Sequence, residues 1–168
     1  MGIALITSKM IAVFVGPGGM AYIGNFRNFI TSLEGISTLA FSSGVVKYVG
    51  ENEDKEKELT KIITTVLVTF LVFSTVLGFL IFVFSDFLCA KFFGNNLQYE
   101  IVFKVVAIVL PFSVVSVLFV SIINGLGSYS KLIYATIISN IVALVLTVLL
   151  IYEFKLVGAL LSTALNPT

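Results

Sequence analysis

Histidine and tryptophan are absent from this 168-residue chain, cysteine occurs once, and only 11% of the residues are charged. Each shortage excludes a kind of chemistry. Without histidine there is no imidazole to serve as metal ligand, general base or pH switch. The one thiol, Cys89, can close neither an internal disulfide nor a thiolate metal cluster, and it reads as a small apolar residue. No Ser-His-Asp set, HExxH, P-loop or GxGxxG is present, so neither an enzyme nor a cofactor or metal site is expected. A net charge of +1 with no basic stripe excludes nucleic acid as an expected partner. Lacking tryptophan, the chain has only Tyr and Phe to mark membrane interfaces.

What is present in excess is apolar. Hydrophobic residues make up 58% of the chain and mean hydropathy is +1.12, whereas a typical soluble domain is roughly 25% charged. The polar surface is too small to clothe a water-soluble globule, and the fold class expected is an all-α, polytopic membrane protein. Five to six spans follow one another, at about residues 3–15, 22–48, 62–84, 101–123, 132–152 and, in part, 156–168. The first is not a signal peptide, having no basic start and no small-x-small cleavage site. At 1.5 Å per residue it reaches about 20 Å, short of the ~30 Å hydrocarbon core. A short first span and an unfinished last one lead us to expect a fragment of a longer carrier.

The connections fall on two sides. The charge run Glu51–Glu58 and the turn around Gly125-Leu126-Gly127 lie on one side, in loops 49–61 and 124–131; loops 16–21, 85–100 and 153–155 lie on the other. The first side carries Lys47, Lys55, Lys57, Lys61 and Lys131, the second Arg27, Lys91, Lys104 and Lys155, a small excess that favours a cytoplasmic charge run. Gly16-Pro17-Gly18-Gly19 is a strong helix-stop signal, so Gly16 and Pro17 are hinge candidates. Pro111 is another, since an internal proline removes a backbone hydrogen bond and lets a helix bend. Segment 85–100 reads either as a short amphipathic element at the interface or as a loop with aromatic anchors.

Span 22–48 carries charge where a lipid-facing helix would not. On one helix, Arg27, Thr31, Glu34, Thr38 and Ser42 share a face, with Gly24 and Gly35 near its edge. Ionisable groups at bilayer depth cost a few kcal/mol, so they are expected to face a protein interior or a watery cavity. A buried Arg–Glu pair holding helices together is the competing reading. Lys47 falls on the opposite face near the helix end, where lysine can snorkel to water. Thr136, Asn140 and Thr147 form a milder stripe on span 132–152; such Ser/Thr/Gly stripes serve helix packing as readily as substrate contact. Lys9, in the first span, has no face assigned.

The string GPGGMAYIGNFRNFITSLEGISTLAFSSGVVKYVGE, residues 16–51, resembles the N-terminal signature of the Wzx-type O-antigen translocases and lipid III flippases. The resemblance is carried by Gly16-Pro17-x-Gly19, by Gly24-Asn25-Phe26-Arg27-Asn28-Phe29 and by Gly44-Val45-Val46-Lys47-Tyr48-Val49. It implies a place in the multidrug/oligosaccharidyl-lipid/polysaccharide flippase superfamily, with this chain as most of the N-terminal lobe of a two-lobed carrier in the bacterial inner membrane. It further implies movement of undecaprenyl-diphosphate-linked oligosaccharide from the cytoplasmic to the periplasmic leaflet by alternating access through a cationic cavity. Membrane lipids, and other polysaccharide-assembly membrane proteins, are the partners it brings. On this footing Arg27 attracts the diphosphate, Asn25 and Asn28 meet sugar hydroxyls, Glu34 orients Arg27 or takes part in cation coupling, and Lys47 meets the headgroup or an anionic lipid. Asn140 completes the cavity candidates. A cation-coupled multidrug exporter of the same fold and a non-transporting membrane scaffold are the alternatives.

Overall fold

The computed structural model describes residues 2–39, 41–52, 55–94 and 97–165, with side chains for all of these except 2–17, 97 and 131. The helices are α1 (Gly2–Ser37), α2 (Ser42–Glu51), α3 (Glu56–Val83), α4 (Ser85–Phe93), α5 (Glu100–Gly125) and α6 (Tyr129–Leu165), with a 3₁₀ turn at Leu97–Tyr99. No strand occurs among the described residues. The chain is an all-α, polytopic membrane protein. Helices α3 and α5, and α6 over Leu132–Leu165, are each long and apolar enough to cross a bilayer. A fourth crossing arises if Gly18–Ser37 and Ser42–Glu51 are one bent span.

The break in this region is not where the sequence puts it. The expected stop at 16–19 does not end a helix, because α1 continues through it to Ser37; the side chains of the hinge candidates Gly16 and Pro17, and of Lys9, lie outside the described residues. Glycine and proline disfavour helix by about 1 and 3 kcal/mol in water. In hydrocarbon, however, every unpaired backbone group costs several kcal/mol, which favours continuing the helix. The interruption falls instead at residues 38–41, so the expected single helix 22–48 is two helices meeting at a bend of 46°. The other hinge candidate, Pro111, sits half-buried inside an unbroken α5.

Helix α5 is the hub. Its buried stripe, Phe103, Ala107, Leu110, Val114, Leu118 and Ser121, follows helical spacing. Facing it, α3 buries Phe70, Ser74, Gly78 and Ile81. The approach is so close that a Cβ on Gly78 would lie 2.6 Å from the carbonyl oxygen of Ala107, the close backbone packing that small residues allow in membrane helices. Helix α2 docks similarly on the end of α5: a Cβ on Gly125 would meet Val49 Cβ at 2.7 Å and the Val46 carbonyl at 2.8 Å. Val45 and Val49 thereby join Phe70, Val114 and Leu118 in one apolar cluster.

At the other end of the bundle, α1 brings Phe26 and Phe29 against Phe103 of α5 and Phe92 and Phe93 of α4, with Phe26 and Phe103 edge to face at 5.6 Å. Segment 85–93 is thus a helix, with Ser85 and Cys89 turned in and Phe87 turned out. Helix α6 reverses at Lys155, whose φ of 50° and ψ of −118° are not helical. Limb 156–165 folds back on limb 129–154, and Gly158 packs against the Leu150 carbonyl with no room for a Cβ. Ala159, Leu160 and Ala164 of the returning limb enter the same core as Phe26 and Phe103. The exposed faces of α3 and α6, including Phe79, Val76, Tyr134 and Ile138, are apolar and suit contact with lipid or with further helices.

Candidate functional site

The spacing of apolar residues decides how α1 is turned. Ile23, Phe26, Ile30, Leu33 and Ser37 repeat every three or four residues and are all buried, so this stripe is the packed face. The polar residues between them are therefore held away from the core. Asn25, Arg27, Asn28 and Thr31 are exposed, Glu34 is half-buried, and Thr38, at the end of the stripe, is buried. Arg27 does not enter the interior of this bundle. It is exposed on the flank of α1, beside the inward face that Phe26 and Ile30 claim.

Arg27 and Glu34 are seven residues, about 10 Å, apart along the axis, and no ion pair joins them among the described residues. The arrangement is thus not a helix-locking Arg–Glu pair. The small polar residues are satisfied locally: Thr31 donates to the Arg27 carbonyl at 3.0 Å and Ser32 to the Asn28 carbonyl at 2.8 Å. Such i−4 bonds let hydroxyls sit in apolar surroundings. The charged and amide groups of Arg27, Asn25 and Asn28 remain presented outward, on a helix of membrane-spanning character, toward whatever lies beyond this face.

Lys47 is separate. It lies on α2, beyond the bend, largely exposed and 3.8 Å from Glu51 one turn on, a surface pair of small energetic consequence. Ser42, expected to continue the stripe, is half-buried at the start of α2, so the stripe ends at Thr38. Asn140 is half-buried on α6, with no hydrogen bond or ion pair to α1 among the described residues. Its stripe divides: Thr136 is exposed, whereas Thr147 is buried beside the returning limb. There, Ser139, Ala143, Leu146, Thr147, Ser162 and Leu165 help to line an open, mainly apolar groove of about 450 Å³. The structure therefore places Arg27 and Glu34 on one flank of the packed stripe of α1 and Asn25 on the other, about 200° around the helix from Arg27, with Asn28 between them on the outer side, and leaves Lys47 and Asn140 elsewhere.

Two features had no readable signal. Ser37 is fully buried with its hydroxyl unpartnered, and Leu39 adopts a left-handed φ of 51° in the interruption between α1 and α2. Neither glycine nor proline occurs at 37–41 to mark the break.

At the interface side, Lys104 pairs with Glu100 one turn before it and lies over the Phe82 ring at 5.9 Å. This ties the start of α5 to the end of α3. Burial pushes the Cys89 thiol above its ordinary pKa, and the nearby carboxylates Glu100 and Asp86 push in the same direction.

Comparison with known proteins covers most of this architecture. Residues 27–166 match the family described as Polysaccharide biosynthesis protein. The chain is 31% identical over 109 residues to the lipid III flippase of Escherichia coli (strain K12), and equally to the lipid III flippase of Shigella flexneri. Each alignment takes in 65% of this chain and 26% of the relative, so the matched part spans well under two thirds of those flippases. No solved structure matches the chain.

Proposed function

The chain belongs to the polysaccharide biosynthesis protein family, and from that premise we propose that it forms part of a flippase for lipid-linked oligosaccharide. The cargo is an undecaprenyl-diphosphate-linked repeat unit, carried from the cytoplasmic to the periplasmic leaflet of the bacterial inner membrane by alternating access. The proposal rests above all on α1 leaving Arg27, Asn25 and Asn28 exposed, outside its own packed stripe. A guanidinium held out at membrane depth needs an anionic or watery partner. Its planar fork suits bidentate contact with a diphosphate.

In this scheme Arg27 draws the diphosphate, Asn25 and Asn28 hydrogen-bond sugar hydroxyls, and no covalent bond is made or broken. The protein lowers the barrier for a polar headgroup to cross hydrocarbon, acting as a transporter rather than an enzyme. The α1 face is one wall of the path, completed by further helices of the carrier; loops 49–61 and 124–131 are cytoplasmic. Lys47, beyond the bend, meets the headgroup only at the membrane surface.

The test is binding of undecaprenyl diphosphate to the purified chain in detergent. Arg27→Ala is expected to weaken it about 10- to 100-fold, the worth of a charged hydrogen-bonding group, with Arg27→Lys intermediate and Lys47→Ala near wild type. In cells lacking their own lipid III flippase, surface polysaccharide export should follow the same order. Unchanged binding and export in Arg27→Ala would overturn the assignment, and a response of drug efflux alone would favour the exporter.

A further inference from the structure

We propose that the groove between the two limbs of α6 binds one acyl chain of a membrane glycerolipid, whose ester carbonyl accepts a hydrogen bond from Thr147. None of the polar residues of α1 lines this groove, and the inference does not depend on the cargo assignment. The groove runs along limb 129–154 from Ala135 to Thr147, with Ser162 and Leu165 of the returning limb on its other side. Thr147 marks the end nearer the reversal at Lys155.

The first observation is an unmatched hydroxyl. Thr147 is only 8% exposed, and it lines the groove. A helical threonine can return its proton to the carbonyl four residues back, as Thr163 does to Ala159 at 2.8 Å. Ser162 is matched too, donating to the same carbonyl at 2.8 Å. Thr147 makes no side-chain hydrogen bond among the described residues. Ser37 is the described residue whose unpartnered hydroxyl is sealed inside the protein; that of Thr147 keeps an opening, and the groove is the space it lines. A donor in apolar surroundings calls for an acceptor, and here the acceptor must come from what fills the groove.

Shape and charge select the ligand. From Ala135 to Thr147 the lined stretch is about 18 Å long at 1.5 Å per residue. A volume of about 450 Å³ then gives a mean cross-section of about 25 Å², against roughly 80–110 Å² for a helix 10–12 Å across. A second helix cannot enter, whereas a single extended hydrocarbon chain can. No charged residue lines the groove, so a phosphate or diphosphate has no partner there. An isoprenoid tail fits the apolar walls but carries no oxygen to accept from Thr147. An acyl ester supplies both the chain and the carbonyl. Depth agrees with this choice, since the polar layer of a bilayer is roughly 5–8 Å thick on each side. Thr147, about 12 Å along the axis from Lys155, stands just inside that layer, where esters give way to acyl chains.

The experiment compares two lipids that differ only at the carbonyl, dioleoylphosphatidylcholine and its diether counterpart. Each is titrated into the purified, delipidated full chain in detergent, with bound lipid counted by native mass spectrometry and the unfolding midpoint followed in parallel. Saturable binding of the ester lipid is expected, with a midpoint that climbs as it binds, since a ligand of the folded state stabilises it by mass action. The ether lipid should bind about threefold to tenfold more weakly, the worth of one hydrogen bond. Thr147→Val, which keeps the shape of the side chain, should erase that preference while leaving ether-lipid binding unchanged. Ala143→Phe, which fills the groove, should abolish binding of both. Arg27→Ala should alter neither, which separates this site from the cargo assignment. Equal binding of the two lipids to the wild-type chain, or an ester preference that survives Thr147→Val, would overturn the proposal. Displacement of the ester lipid by equimolar undecaprenyl phosphate would also overturn it in favour of the cargo's tail, and a dimer lost in Ala143→Phe would do so in favour of a second copy.

Discussion

Replacing Gly78 with alanine tests the closest contact in the bundle. A Cβ there would sit 2.6 Å from the Ala107 carbonyl oxygen, against 3.4–4 Å for ordinary contact, so α3 and α5 must part by roughly 1 Å at that level. Overpacking of this kind costs about 1–3 kcal/mol. Removing a helical glycine returns about 0.5–1 kcal/mol of backbone entropy. Gly24→Ala is the control, because a Cβ at Gly24 meets nothing within 4 Å and the entropy term acts alone. The stability difference between the two variants then isolates the clash, at about 1–3 kcal/mol in favour of Gly24→Ala. It can be read by denaturant titration in mixed micelles followed by circular dichroism. Because the obstacle is a backbone oxygen rather than the Ala107 methyl, adding Ala107→Gly should give no rescue. Equal stability of the two variants, or full rescue by Ala107→Gly, would refute the packing argument.

The sequence made some of this visible and hid the rest for physical reasons. The all-α membrane class was legible because apolar content and the lack of charge depend on no tertiary detail. That Arg27, Thr31, Glu34 and Thr38 line up was legible too, since 3.6-residue spacing alone gathers them on one side of a helix. Which side was not legible, because the inward face is chosen by the Phe26 ring packing against Phe103 and Phe93, residues remote in sequence. The break was misplaced because Gly16-Pro17-Gly18-Gly19 is a stop signal calibrated in water, where freed backbone groups are hydrated at little cost. The real interruption at 38–41 contains Leu39 and Phe41, which no turn rule flags. Phe41 has a local contact there: its ring lies over Gly44, three residues on, where an added Cβ would come to 2.6 Å from it.

The remaining predictions concern the contacts that shape the two ends of the molecule. Gly125→Val is expected to destabilise by about 1–3 kcal/mol through overpacking against Val46 and Val49, read in the same micelle titration. Cys89, buried with its thiol pKa raised by burial and by Glu100 and Asp86, should react with maleimide far more slowly in the folded chain than in SDS. A raised pKa means less thiolate at a given pH, so its labelling should climb at higher pH than that of a free thiol, and labelling at the rate of a free thiol near neutral pH would contradict the placement of α4. Leu39→Gly bears on the break itself. On the exposed helical surface, as at Leu149, exchanging leucine for glycine costs about 1 kcal/mol in helix propensity. At Leu39 the left-handed φ of 51° reverses the local preference, because glycine removes roughly 1–2 kcal/mol of Cβ strain while giving back about 0.4–1 kcal/mol of unfolded-chain entropy. Leu39→Gly should therefore be neutral to slightly stabilising in the same micelle titration, where Leu149→Gly is destabilising. If both variants lose stability equally, Leu39 is helical in the membrane and α1 and α2 form one continuous span without the bend.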